Sequence, residues 1–294
     1  MKDLKTPLRY PGGKSRAVDF LFSRENLPVK KIKEYREPFL GGGSCAFAFT
    51  KKFPDIPVRV NDKYYNLYCF WLTLQKEGEA LTKKLHEIKD DLLSAPNYKQ
   101  AHWDYYDVVT DTLANPKNEF ETAWAFYILN RCSFSGLTEL SASFSKGSCF
   151  DHFHHRLIGK LPKYSKLMQN WTITNEDYST MFCDDPDVFV FCDPPYDIAT
   201  FIYGKGGDMH NTFDHKEFFE CTDASGNMVM ITYNSNDTLQ EAYKNWNQKI
   251  WDLVYTMVSS ASYRENEHLK KELLIWNYET PEAIPKQTLE EFFV

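Results

Sequence analysis

Four short stretches of the chain read as apolar strands, the last three with little of the alternation that marks a half-exposed one: Trp171-Thr172-Ile173-Thr174, Val188-Phe189-Val190-Phe191-Cys192, Met228-Val229-Met230-Ile231-Thr232 and Leu273-Leu274-Ile275-Trp276. A strand that is apolar on both faces belongs in a sheet covered on both sides, the arrangement of parallel α/β folds. Two earlier strand-like segments, Arg36 to Phe39 and Val58-Arg59-Val60-Asn61-Asp62, flank a helix-compatible stretch from Ala46 to Lys52, a β-α-β opening. Between these two groups the period changes. Leu67, Phe70, Trp71, Leu74, Leu81, Leu85, Ile88 and Leu92, then Phe120, Ala123, Trp124, Tyr127 and Ile128, recur at helical spacing. The expected fold is α/β: a Rossmann-like sheet flanked by helices over residues 1–66 and 167–294, interrupted by a mostly helical insertion over 67–166.

The first strand runs into Phe39-Leu40-Gly41-Gly42-Gly43-Ser44-Cys45-Ala46, in which Gly41, Gly43 and Ala46 satisfy G-x-G-x-x-G/A. Asp62 follows Gly41 by 21 residues, where a doubly wound fold places a carboxylate against ribose hydroxyls. This pair supports an adenosine-containing cofactor and selects no reaction. A second glycine element, Tyr10-Pro11-Gly12-Gly13-Lys14-Ser15, ends like a phosphate-binding loop. The first glycine of that motif would fall on Leu8, and no strand precedes it, so nucleotide hydrolysis loses its main support.

Asp193-Pro194-Pro195-Tyr196 directly follows the apolar run Val188 to Cys192. Two prolines remove two backbone donors and fix φ twice, leaving an extended, acceptor-rich segment in which a carboxylate and a carbonyl can face one NH2 group. Methylation of an exocyclic amine needs such a site, because the adenine N6 lone pair is delocalised into the ring. Hydrogen bonds from N6 to the Asp193 carboxylate and the Pro194 carbonyl favour a tetrahedral nitrogen and stabilise its developing positive charge. Tyr196 offers a flat face for an extruded base.

With these motifs the chain resembles the Dam family of DNA adenine N6-methyltransferases, in the group (D12 class, alpha) whose cofactor motif precedes the recognition domain and whose catalytic motif follows it. The resemblance runs from about Pro7 to Tyr278. It implies S-adenosylmethionine as methyl donor, S-adenosylhomocysteine as product, double-stranded DNA as substrate, and no metal. It also implies that Tyr10, Gly12, Gly13 and Lys14 lie at the cofactor, Tyr10 standing where many members carry Trp. The family's E-P-F-x-G-G-G-S motif is whole in Glu37 to Ser44, which includes Phe39, Gly41 and Gly43; Asp62 matches its ribose-binding acid, and Asp177-Tyr178 matches its acidic-aromatic pair beside the cofactor adenine. Asn130-Arg131, followed by Phe134-Ser135-Gly136-Leu137, resembles the opening of its DNA-contacting segment. A separately acting restriction endonuclease of the same specificity is a candidate partner.

The net charge of −7 argues against a protein that coats nucleic acid without specificity, since phosphate contact needs Lys and Arg. A local exception lies between Arg131 and Lys166, where six basic residues, among them Lys146 and Arg156, meet two acidic ones. That stretch is the expected DNA face. Seven cysteines form no C-x-x-C pair, and the His152, His154, His155 group lacks a second ligand group at zinc spacing. No apolar run is long enough to span a membrane and the start has no signal-peptide character, so the expected location is the cytoplasm. A nicotinamide-dependent dehydrogenase shares the glycine turn and ribose acid but gives no reason for Asp-Pro-Pro-Tyr. Cytosine N4-methyltransferases more often carry Ser where Asp193 stands.

Overall fold

The computed structural model describes residues 4–10, 12–133, 136, 144, 151–195, 213–235, 237–254 and 269–281. Seven strands form one sheet: β1 (Glu34–Glu37), β2 (Val58–Asn61), β3 (Trp171–Thr174), β4 (Val188–Cys192), β5 (Met228–Asn234), β6 (Asn247–Val254) and β7 (Leu269–Trp276). Their order is β3-β2-β1-β4-β5-β7-β6. The first five are parallel, and β7 lies antiparallel between β5 and β6.

The unbroken apolar run of β4 follows from its place in this order. Phe189 and Phe191 point into one core with Tyr35, Phe49 and Met230. Val188, Val190 and Cys192 point into the other with Val229, Ile231, Leu273 and Ile275. β1 begins two residues earlier than its sequence pattern suggests, with Glu34 already paired to β4, and ends two residues earlier at Glu37, because Pro38 cannot donate to the ladder. β6 is missing from the apolar pattern altogether: it opens on Asn247-Gln248-Lys249, Asp252 interrupts its apolar second half, and among the described residues it pairs with β7 at the edge of the sheet.

Helix α1 (Val18–Leu21) precedes β1, and α2 (Ser44–Lys52) connects β1 to β2. Residues 65–167 carry α3 (Tyr65–Ser94), α4 (Tyr98–Ala114), α5 (Glu119–Cys132), α6 (His155–Ile158) and α7 (Leu161–Leu167). The periodic residues Leu67, Phe70, Trp71, Leu74, Leu81, Leu85, Ile88 and Leu92 are all buried along α3. This helix bends at Glu77 (φ −130°, ψ 31°). Beside the bend Gly78 lies against α7, where a Cβ would come within 2.6 Å of Ser165 Oγ. The Gln75 carbonyl accepts from Gln169 Nε2 at 2.9 Å, while Gln75 Nε2 donates to the carbonyls of Met168 and Trp171, both at 2.7 Å. The bend thus ties the long helix to the approach of β3. One apolar core runs from the sheet through α3 to Val109 and Leu113 of α4. After β4 come α8 (His215–Ala224) and α9 (Asp237–Ala242), which cover the opposite face. No helix among the described residues is long and apolar enough to cross a membrane.

Candidate active site

The strand order reverses between β1 and β4, so the connections leaving their carboxyl ends diverge and open a crevice, the ligand position of open α/β sheets. The glycine turn enters it from β1 and Asp193-Pro194-Pro195 from β4. Leu40 N–H donates to the Asn61 carbonyl (2.9 Å) and Gly43 N–H to the Leu40 carbonyl (2.8 Å), which tightens the turn. Gly41 (φ 48°) and Gly43 (φ 70°) occupy the left-handed region that favours glycine. A Cβ on Gly41 would also lie 2.8 Å from the Tyr10 ring. Gly43 precedes α2, whose start has no side-chain cap.

Asp62 stands just beyond β2 and accepts from Gly41 N–H (2.8 Å) and Tyr64 N–H (2.9 Å). Burial raises its pKa to about 6, although both backbone bonds favour the charged form. Asn61, beside it, joins three strand ends: its amide donates to the carbonyls of Pro38 and Glu176, both at 3.1 Å, and its side-chain oxygen accepts from Glu176 N–H at 2.8 Å.

Lys14 Nζ lies 2.8 Å from Asp193 Oδ1 and 2.9 Å from Oδ2, closing on both carboxylate oxygens. The lysine is 2% exposed and the aspartate 22%. Burial pulls the Lys14 pKa down, but the charges of Asp193 and then Glu272 outweigh it and hold the ammonium above its ordinary value. Thr232 of β5 donates a third bond to this carboxylate at 2.8 Å. Glu37, at the end of β1, is buried and accepts from Tyr35 Oη at 2.7 Å. Burial pushes its carboxyl well above the usual carboxylate range, outweighing that bond.

The amino-terminal arm is anchored to this floor and to the helices. Thr6 Oγ1 donates to the Gly42 carbonyl, and Gly13 N–H donates to the Tyr10 carbonyl at 3.2 Å. Opposite the arm, Phe39 and Tyr178 meet at 5.6 Å between ring centroids, and Phe213 and Phe218 pack against both. Asp177 caps the turn that carries Tyr178, accepting from Ser179 N–H and pairing with Lys63 at 3.1 Å.

The sequence-marked residues Tyr10, Gly12, Gly13, Lys14, Phe39, Gly41, Gly43, Asp62, Asp177, Tyr178 and Asp193 all come from the arm or from the carboxyl ends of β1 to β4. The structure adds Thr232, Phe213 and Phe218, and buries Glu37, the first residue of the glycine motif, at the end of β1. Of these, Thr232 left one trace in the sequence, a hydroxyl closing an apolar strand. Tyr196 and Lys146 lie outside the described residues.

Asn130 and Arg131 sit inside the protein. Arg9 N–H donates to Asn130 Oδ1 (2.9 Å), and Asn130 Nδ2 donates to the carbonyls of Arg9 (2.6 Å) and Gly136 (3.0 Å). Arg131 Nε donates to the His152 carbonyl (2.7 Å) and its Nη1 to the Pro7 carbonyl (3.3 Å). In this arrangement both side chains grip the amino-terminal arm instead of facing outward. Arg156 is exposed.

Comparison with known proteins bears on the same residues. A family model, D12 class N6 adenine-specific DNA methyltransferase, matches residues 10–257. The Type II methyltransferase M.MjaIII of Methanocaldococcus jannaschii is 25% identical over 293 residues, covering 94% of this chain and all of that protein. A DNA N-6-adenine-methyltransferase of Escherichia phage P1 is 26% identical over 80% of this chain and 30% of its own length. The retron Ec67 DNA adenine methylase of Escherichia coli is 24% identical over 83% of this chain and 82% of its own length. The match begins at Tyr10 and takes in the glycine turn, Asp62 and Asp193-Pro194-Pro195-Tyr196: the chain belongs to the D12 class of N6 adenine-specific DNA methyltransferases.

Proposed function

We propose that the protein transfers a methyl group from S-adenosylmethionine to the N6 amine of an adenine flipped out of duplex DNA at a specific site. The observation that carries this reading is the placement of Asp193-Pro194-Pro195 and the Gly41–Gly43 turn at the carboxyl ends of the neighbouring strands β4 and β1, where the strand order reverses. The residues present fit the donor. Left-handed glycines leave room for close backbone approach, α2 starts without a side-chain cap, and Asp62 provides a carboxylate one strand away. When bound, S-adenosylmethionine supplies an electrophilic methyl group on its sulfonium and leaves as S-adenosylhomocysteine.

In this reading Asp62 accepts from the ribose hydroxyls, the aromatic wall of Phe39 and Tyr178 takes the adenine ring, and the arm from Tyr10 to Lys14 closes the site. The Asp193 carboxylate and Pro194 carbonyl accept hydrogens from the target amine, draw its lone pair out of conjugation and stabilise the charge that develops on nitrogen. Tyr196 stacks on the extruded base. No metal takes part. A DNA substrate puts the work in the cytoplasm, and the family's type II members suggest a separate endonuclease of matching specificity as partner.

The role of Asp62 has a measurable sign. Its pKa of about 6 means that the free protein protonates this carboxyl below that pH. Hydrogen bonds to a charged acceptor contribute roughly 1.5–3 kcal/mol, against about 0.5–1.5 for a neutral one. S-adenosylmethionine affinity is therefore expected to weaken several-fold as pH falls from 7.5 to 5. Asp62→Asn is expected to bind more weakly at pH 7.5 and to lose this pH dependence. Titration calorimetry across that range checks both; equal affinity of the two proteins at pH 7.5 rules out the ribose role.

Sequence choice is assigned to the helical segment 67–166, chiefly residues 131–156. Arg156 and Lys146 are the proposed DNA contacts there, while Asn130 and Arg131 act by holding the frame that presents them. Exchanging residues 131–156 for the equivalent segment of a relative with another target is expected to transfer the methylated site. A folded, active chimera that still methylates only the parent's site places recognition elsewhere.

A further inference from the structure

The register of β4 and β5 pairs Cys192 with Ile231, so Asp193, the first residue beyond β4, stands beside Thr232, which lies within β5. Thr232 is fully buried. Its Oγ1 lies 2.8 Å from Asp193 Oδ1 and 3.5 Å from the Cys192 carbonyl. A hydroxyl has one proton to give, and the shorter contact is the good hydrogen bond. A carboxylate can only accept, so the hydroxyl donates to Asp193. The β-branched side chain has few rotamers in a strand, which fixes the direction of this donation before any substrate arrives.

Lys14 reaches the same oxygen from the amino-terminal arm and also bonds the second one. The two donors therefore differ in kind. Lys14 brings charge on a long side chain from a segment without regular structure, whereas Thr232 brings a neutral, directional bond from the rigid sheet. Together they fix the plane of the carboxylate.

We infer that Thr232 is a positioning residue for methyl transfer: its hydroxyl sets the rotation of the Asp193 carboxylate toward the target amine without itself touching cofactor or DNA. This rests on the reading of Asp193 as the acceptor for that amine. A misaligned acceptor lowers the rate of the chemical step and leaves binding unchanged, because Asp193 acts on the nitrogen as its charge develops.

The test compares single-turnover methylation of unmethylated duplex DNA, using tritiated S-adenosylmethionine, with separately measured affinities for donor and DNA. Thr232→Val removes the hydroxyl at nearly constant volume and is expected to slow the chemical step about ten- to hundredfold, the value of one hydrogen bond to a charged group. Both dissociation constants are expected to stay within about twofold. Thr232→Ser and Thr232→Ala lose the same methyl group and differ only in the hydroxyl. The serine variant is expected to keep a rate within about threefold of the parent and the alanine variant to resemble valine; this pair decides the question if the valine variant does not fold. Equal rates for serine and alanine overturn the role of Thr232. Asp193→Ala is assayed in parallel: if it is inactive while Thr232→Val runs at the parent rate, the positioning role alone fails, and if Asp193→Ala keeps the parent rate, the reading of Asp193 fails first.

Discussion

Asp193→Ala is expected to lower methyl transfer by at least about 10²-fold while the sheet remains folded, the scale on which losing one preorganised polar group at a site of developing charge is felt. Asp193 lies beyond the last residue of β4 and outside both apolar cores, so its removal opens no cavity in them. It does leave Lys14 without the carboxylate that balances it. Asp193→Asn is the useful companion, since it keeps the volume and one acceptor while removing the charge. Both variants are expected to retain the parent's circular dichroism, to melt lower than the parent and to bind DNA. A folded Asp193→Ala protein with near-parent turnover on its best duplex contradicts the assignment.

Lys14→Met is expected to damage both activity and stability. Taking one partner from a buried ion pair typically costs about 3–5 kcal/mol, because the remaining charge is left without compensation. Asp193 keeps some contact with solvent, which puts the expected loss near the lower bound, about 3 kcal/mol, or a fall of roughly 6 °C in Tm for a chain of this size. The sign of the pH dependence follows from the ammonium being held above its ordinary value of 10.5. A base whose pKa is raised by folding contributes stability fully below its unfolded pKa and loses it as pH climbs through the folded one. The Tm gap between parent and Lys14→Met is thus expected to be constant from pH 6 to 9 and to narrow only in strong alkali. Adding Asp193→Asn to Lys14→Met is expected to recover part of the loss, since it removes the stranded charge. Thermal melts of the four proteins measure this coupling. Additive losses in the double variant show that the pair is not energetically linked.

The elements that sequence patterns captured are those whose chemistry is local. An unbroken apolar run, a glycine turn after a strand and a carboxylate followed by two prolines are each explained by neighbours along the chain, and β3, β4 and the buried face of α3 stand where those patterns put them. The edge strand β6 escaped because it opens on three polar residues and Asp252 splits the rest, so no unbroken apolar run marks it, and Ile250 stands exposed. Interactions between distant segments were equally hidden. Lys14 and Asp193 are 179 residues apart in the chain and meet at 2.8 Å, and nothing in either motif names the other. Asn130 and Arg131 illustrate the same limit in reverse. A polar, basic pair in a basic stretch suggests a surface, yet the backbone of Arg9, Pro7 and His152 supplies enough acceptors to bury both side chains with their hydrogen bonds made. Asn130 and Arg131 of α5 therefore hold the arm that carries Lys14, joining the helices to the strand ends through residues 7–14.

Incubation of the full chain with tritiated S-adenosylmethionine and unmethylated duplex DNA, followed by enzymatic digestion and separation of the nucleosides, tests the central claim most directly. The account predicts label in N6-methyladenine alone, incorporated at least about 10²-fold more slowly when Asp193→Ala replaces the parent. Label in N4-methylcytosine, in protein, or in no product from the folded parent would contradict it.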